Sequence, residues 1–451
     1  MEIEKTAVWL SIKKVLNSGY KTGTLSAYSF FDLVVHTKDH DFKVVKVLNI
    51  DVSSDYVNNY TDVISVTFMV FISDYKSKLF PEINNLEASL VKTYLSGVGG
   101  NDTPTISSQR FKLVFLPNSN VKLNTSLVDS ADKLTSTNLG FMEVSCQLIN
   151  RNIEPIKLKT FSGIMKGHLT EDILKSVIPD QLSKISVDGK ICIDRVDVVK
   201  VDNVQPSKHA IIPTGTSIIN IPTYLHEKMN GIYNSGIGTY ITNFKNKNVF
   251  FIYPTHKLDI VNNDNISLSL YVVPENKLGV NDVSYNLDGK SLSILGHTLD
   301  SFGSDSDAKL LNSGVGFNML HSKPIMNKPV DITTDGPMGA PEKLNYRVAT
   351  TDRSDNFNYA PKVTGVSSNN PFREYSNINK RAGNVVRFLW SYANDSLLYP
   401  GAPVIFYSVR EGKTKKYTGI LQGYHSAYMF EGKTIKDTRY HCKCVLTCYV
   451  G

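Results

Sequence analysis

Tryptophan occurs only twice in 451 residues, and cysteine only five times. No run approaches the ~18–20 consecutive apolar residues that a membrane-crossing helix needs, so no membrane insertion is expected. The opening stretch Met1-Glu2-Ile3-Glu4-Lys5 has neither the basic start nor the apolar centre of a secretory signal. The chain is therefore expected to stay in the compartment where it is made. The odd count of cysteines fits free thiols in a reducing cytoplasm better than a disulfide framework. Excess charge is also small. Lys and Arg number 49 against 42 Asp and Glu, and the resulting +7 does not by itself point to nucleic acid. The basic clusters, at Lys413, Lys415 and Lys416 and around Lys380 and Arg381, are expected to be solvated loop tips.

Catalytic signatures are missing as well. There is no Gly-x-Ser-x-Gly elbow. Gly97-Val98-Gly99-Gly100 lacks the Lys-Ser/Thr of a phosphate-binding loop. Gly236-Ile237-Gly238 lacks the third glycine and following helix of a dinucleotide loop, so it is expected to be a turn. His36 and His40 have no third ligand at useful spacing, and a surface turn is expected there. Cys442, Cys444, Leu446 and Cys448 alternate with Lys443, Val445, Thr447 and Tyr449. That period of two places the cysteines on one face of a strand, as core residues rather than zinc ligands. No catalytic residue, cofactor or metal site is expected.

What the chain does have is strand-forming material. Tyr (23) and Phe (20) are plentiful, hydrophobic residues make up 41% and charged residues 20%. This is enough for a full core, with a bias to pleated, half-buried strands. Between Val63 and Ile72 the even positions Ile64, Val66, Phe68, Val70 and Ile72 are all apolar. The odd positions begin polar at Ser65 and Thr67 and end apolar at Met69 and Phe71. One face is core, and the other is expected to become covered along the strand, with Met69 and Phe71 as candidate partner contacts. Further strands are expected at 44–52, 111–116, 140–150, 188–203 and 248–254, and a closing hairpin at 404–409 and 417–425, with a last strand at 440–450. A helix start is expected at Leu169 to Leu174, with Thr170 as N-cap and Pro179 limiting it. A second helix fits 222–233. From 289 to 381 the texture becomes Ser-, Asn-, Asp-, Gly- and Pro-rich, which suits an extended arm or a loose insert.

Several segments, in order, resemble the central baseplate hub of contractile phage tails, a family related to the hub part of type VI secretion spikes. Asn59-Tyr60-Thr61-Asp62 leads into the long strand, and Leu79-Phe80-Pro81 and Asn85-Leu86-Glu87 follow. The helix entry at His168 to Leu174 is similar to that after the hub's first barrel. Ile211-Ile212-Pro213 through Leu225, Gly231-Ile232-Tyr233 and Phe250 to Pro254 look like its α/β insertion. Tyr399-Pro400-Gly401-Ala402-Pro403-Val404 and Thr418-Gly419-Ile420-Leu421 are similar to its closing strands. The region from about 303 to 381 has no counterpart in this resemblance.

The resemblance implies a mainly β chain with an α+β insertion and two tail-tube-like β-barrels. The implied divisions are a first barrel over 1–165, an insertion over 166–275, a second barrel from 276–302 with 382–451, and an arm over 303–381. It implies a virion protein, made in the host cytoplasm, that forms a trimeric ring between a sixfold tube and a threefold spike. Its partners would be further copies of itself, the tail tube or tube initiator, the central spike and the baseplate wedges, with DNA passing transiently through the lumen. Tyr399 and Pro400 join Met69 and Phe71 as candidate contact residues. The competing expectations are another tail part, such as a tube initiator, wedge or adaptor, and a tail-borne cell-wall hydrolase.

Overall fold

The computed structural model describes residues 2–20, 28–95, 105–116, 140–206, 209–229, 231–259, 266–273, 284–302, 317–320, 346–349, 362–363, 372, 376, 379–380, 383–410, 413–430 and 439–451. The Gly97-Val98-Gly99-Gly100 stretch and most of the expected arm lie outside these residues.

A helix, α1, spans Glu2–Tyr20. Seven strands follow: β1 Tyr28–His36, β2 Asp41–Lys43, β3 Lys46–Asp55, β4 Val63–Phe71, β5 Glu87–Leu95, β6 Thr105–Phe115 and β7 Phe141–Asn150. A middle segment then carries the helix Ile153–Leu158, β8 Thr160–Met165, a helical stretch 170–182, β9 Ser186–Val187, β10 Lys190–Ile191, β11 Arg195–Val198, β12 Ala210–Ser217, the helix Ile221–Lys228, β13 Gly238–Phe244 and β14 Lys247–Tyr253. Next come β15 Ser267–Val272, β16 Tyr285–Asp288 and β17 Ser291–Phe302. Three short strands, β18 Phe317–Leu320, β19 Tyr346–Ala349 and β20 Lys362–Val363, pair in parallel with one another. The chain closes with β21 Asn384–Ser391, β22 Pro403–Arg410, β23 Lys413–Phe430 and β24 Tyr440–Val450.

The protein is mainly β, built on one large mixed sheet of 14 strands. Its pairings trace two closed circuits. The first runs β23-β3-β4-β7-β6-β5-β1-β24 and returns to β23, with β1 and β24 meeting where Ser29 faces Tyr440. The second runs β15-β22-β23-β24-β21-β17 and returns to β15. The β23–β24 hairpin belongs to both. Closing a sheet on itself removes its free edges.

Alternation along the strands sets the core. In β4, Ile64, Val66, Phe68 and Val70 are buried, and Val63, Ser65, Thr67, Met69 and Phe71 are half-buried. The outer face is thus evenly covered by side chains of β3 and β7 on either side, rather than passing from exposed to covered. Ile72 is not a strand residue. The chain turns helical there, and the Ile72 side chain lies against Gly140, where an added Cβ would sit 2.7 Å from it. In β24, Cys442, Cys444, Leu446 and Cys448 are buried as alternation requires. Val450 continues that buried row, and Tyr449 alone breaks the pattern because both faces are covered at that end, where it packs with Leu258 and Ile420.

The middle segment has its own core. Ile173, Leu174, Ile178 and Leu182 pack with Ile218, Leu225, Phe250 and Ile252. Here β14 pairs in parallel with β11 and antiparallel with β13, and β8 pairs with β12. Two expectations change. Thr170 is the first helical residue, and Leu169 holds the cap position without a side-chain cap. Pro179 does not end the helix. A π-type turn over Ile173–Val177 precedes it and reorganises the backbone pairing where the missing proline N–H would interrupt a regular helix. The second helix is shorter than expected, ending at Lys228, with Gly231 following at φ 82°.

The sequence reading missed α1. Its Val8, Ile12, Val15 and Leu16 fall on one stripe and cover Tyr271, Val273, Leu295 and Tyr407 on the second circuit.

Candidate assembly surface and polar junctions

Met69 and Phe71 project from the outer face of β4. Phe71 packs on Phe141 of β7, with ring centres 5.0 Å apart, and Phe141 is 41% exposed. Met69 sits between Lys46 of β3 and Glu143 of β7 in register. The two residues therefore belong to one partly apolar outer surface. Tyr399 and Pro400 are placed differently. Both are buried within the chain. The Tyr399 hydroxyl donates to the Ile266 carbonyl at 2.7 Å, and its ring stacks on Phe251 and contacts Phe244 of the middle segment. Their packing joins the second circuit to the middle segment.

Three buried polar junctions went unnoticed in the sequence, because each joins residues far apart along the chain. In the first, Asp62 accepts hydrogen bonds from Ser54 of β3, from Tyr240 at 2.9 Å and from Thr242 at 2.7 Å, both on β13. Burial pushes the Asp62 carboxyl above its ordinary value, and the three hydroxyl donors oppose that shift. Beside it Ile241 N–H donates to Tyr60 O at 2.8 Å, and Tyr253 hydroxyl donates to Tyr56 O at 2.5 Å.

In the second, Lys92 of β5 donates to Asp395 at 2.5 Å and to the Tyr428 hydroxyl at 2.5 Å. Burial is the largest influence on the Asp395 carboxyl and would raise it, but the Lys92 charge and hydrogen bond, with the hydroxyls of Tyr428 and Ser426, together hold the group below the usual carboxylate range. Nearby, burial pushes the Cys442 thiol up to about 12, so it stays protonated and is a poor nucleophile.

The third gathers His226, Ser376, Asn379, His256 and Tyr449. Ser376 and His226 approach to 3.1 Å, which invites comparison with a hydrolytic pair. The hydrogen bonds run the other way. Ile232 N–H donates to His226 Nδ1 at 3.2 Å, leaving the proton of the neutral ring on Nε2. Nε2 then donates to Ser376 Oγ, which also accepts from Gly236 N–H at 2.9 Å and donates to the Phe372 carbonyl at 2.7 Å. A base for serine must accept the hydroxyl proton, and this imidazole has no free lone pair aimed at it. The pair fastens Ser376 to the middle segment. His256, packed against the edge of Tyr449, is pushed down to about 4 by burial and by the charge of Lys380.

His36 closes the turn at the end of β1, bonded to Asp41 and Ser89 at 2.7 Å each. Among the described residues no group of three or more His, Cys, Asp or Glu is placed to hold a metal ion, and no helix is long and apolar enough to cross a membrane.

No known protein family matches the chain, and no curated protein matches it. Solved structures do. A chain of the half-lidded PdpA–VgrG complex of Francisella is similar at 10% identity and a TM-score of 0.43, over 94% of this chain and 58% of that one. This chain thus spans less than two thirds of that relative. The 43 kDa tail protein of prophage MuSo2 from Shewanella oneidensis is similar at 10% identity and a TM-score of 0.43, over 92% and 96%. A chain of the phage P2 baseplate in its activated conformation is similar at 13% identity and a TM-score of 0.29, over 92% and 98%.

Proposed function

We propose that this chain is a structural component of a phage tail baseplate, and that it serves there as the central hub. The observation that carries the proposal is the pair of closed strand circuits in one polypeptide. If each circuit is a tube-like barrel, three copies in a ring present six similar barrels. Such a ring meets a sixfold tube on one side and a threefold spike on the other, which resolves the symmetry mismatch between them. The ordered hub-like segments of the sequence point the same way. On this reading residues 28–150 form the first barrel together with β23 and β24. Neighbouring copies meet through the outer surface that carries Met69, Phe71 and Phe141. Tube, spike and wedge proteins are the other partners, and DNA passes through the axial lumen without being read. The role requires no catalysis.

Mass photometry of the purified chain, and a map of the particle with the chain located, test this. A ring of three on the tail axis is expected. A chain that remains monomeric even in particles, or six or more peripheral copies, would contradict the hub assignment.

A further inference from the structure

A cleft of about 900 Å³ opens between the outer side of β5, β6 and β7 and the middle segment. We infer that it binds a short, extended, charge-neutral peptide segment of a partner polypeptide. Two tight hairpins form its rims. In one, Asp188 and Gly189 turn between β9 and β10 at φ 51° and 74°. In the other, Lys245 and Asn246 turn between β13 and β14 at φ 53° and 60°. Positive φ at both central residues marks the two-residue turn whose twist matches its strands, so both rims are firmly shaped.

The lining is unusually rich in carboxamides. The side chains of Gln109, Asn243, Asn246 and Asn248 make no hydrogen bond to another described residue. Each offers a donor and an acceptor side by side, the complement of a peptide group. Both arginines are already paired. Glu87 receives Arg110 at 2.8 Å and Arg151 at 2.9 Å, and Arg151 also bonds Asp188 at 2.9 Å. Asp194 accepts the Asn248 N–H at 2.7 Å, which leaves Lys190 as the one cation of the lining without an ion pair among the described residues. A polyphosphate or strongly acidic ligand would meet this single lysine rather than a cluster of cations. Saccharides and bases favour an aromatic platform, but the aromatic of this lining, Phe111, is buried in the core. A second groove of about 520 Å³ continues past Asn150, Arg151 and Val187 and offers Ile149, 39% exposed, and Leu158, 74% exposed, to an apolar side chain.

That the peptide belongs to another polypeptide rests on the assembly reading above. The binding itself is a property of the single chain and can be tested without any ring. The probe is a mixture of end-blocked heptapeptides of Asn, Ser, Gly and Leu, titrated into full-length protein with isotope-labelled Ile and Leu methyl groups. Shifts at Ile149, Leu158 and Ile191 are expected at millimolar peptide. Gln109→Ala with Asn248→Ala should weaken them at least tenfold without moving the melting temperature, and Asn246→Ser, on an exposed turn, should weaken them less. Absence of shifts, shifts that survive the double variant, or shifts produced by chitohexaose and not by the peptides would overturn the proposal. Tighter binding of Asp-rich peptides would overturn its charge-neutral character.

Discussion

Asp62 and Tyr240 are 178 residues apart, yet the tyrosine hydroxyl donates to the half-buried carboxylate at 2.9 Å and so pins β13 to the end of the turn before β4. Asp62→Ala leaves three hydroxyls without their acceptor. A cost of about 1–3 kcal/mol is expected from stranded buried polar groups. The sign of the pH effect also follows. Burial raises the carboxyl in the folded protein, so its contribution is fully present below the ordinary carboxylate value and is lost as pH rises through the folded one. Asp62→Asn should flatten that part of the stability profile, which thermal melts across the acidic range would record.

Asp395 behaves in the opposite sense. Lys92 keeps its folded value low, so its contribution is present above the ordinary carboxylate value and fades as pH falls through the folded one. Lys92→Met leaves a buried carboxylate without its cation, and about 3–5 kcal/mol of destabilisation is expected. Lys92→Met combined with Asp395→Asn should recover much of the loss. If the double variant were no more stable than the single one in urea, the ion pair would not be the cause.

His256 adds an acid sensitivity of its own. With its folded value near 4 and its ordinary value at 6.5, the ring is held neutral by the fold, and stability is lost as pH falls from about 6.5 to about 4. The difference amounts to about 3 kcal/mol. His256→Gln should remove this loss while retaining a side chain able to bond Thr255. Chemical denaturation at pH 7 and pH 4.5 would show whether the gap closes.

Gly419 lies where the shared hairpin is tightest. A Cβ there would meet the Tyr449 carbonyl oxygen at 1.9 Å. Gly419→Ala must spread β23 from β24, and a cost of about 1–3 kcal/mol is expected. Because the hairpin belongs to both circuits, hydrogen exchange should quicken in β21 as well as in β3.

Local patterning was legible wherever one face of an element decides its fate. The cysteine row of β24 and the even positions of β4 follow directly from a period of two. The single strand expected over 188–203 is instead two short ones, β10 and β11. The stripe of α1 was hidden because Trp9 and Leu10 place apolar residues on its exposed side too. Long-range polar junctions leave no periodic mark, since Asp62, Lys92 and His256 each look like ordinary surface residues until the fold brings their partners. The burial of Tyr399 and Pro400 within the chain leaves no mark in the sequence, because a motif shows that a segment resembles another, not which way its side chains face.

The hairpin common to both circuits also sets the order of events at synthesis. Strand β3, at residues 46–55, pairs with β23 near residue 425, and β1 meets β24 at Tyr440. Strands β1 and β3 must wait for β23 and β24 to leave the ribosome before their ring can shut. Pairing across such sequence distances is slow and leaves open edges in the interim. A nascent chain of this kind carries, until β23 and β24 emerge, the adhesive edges that its folded form has hidden.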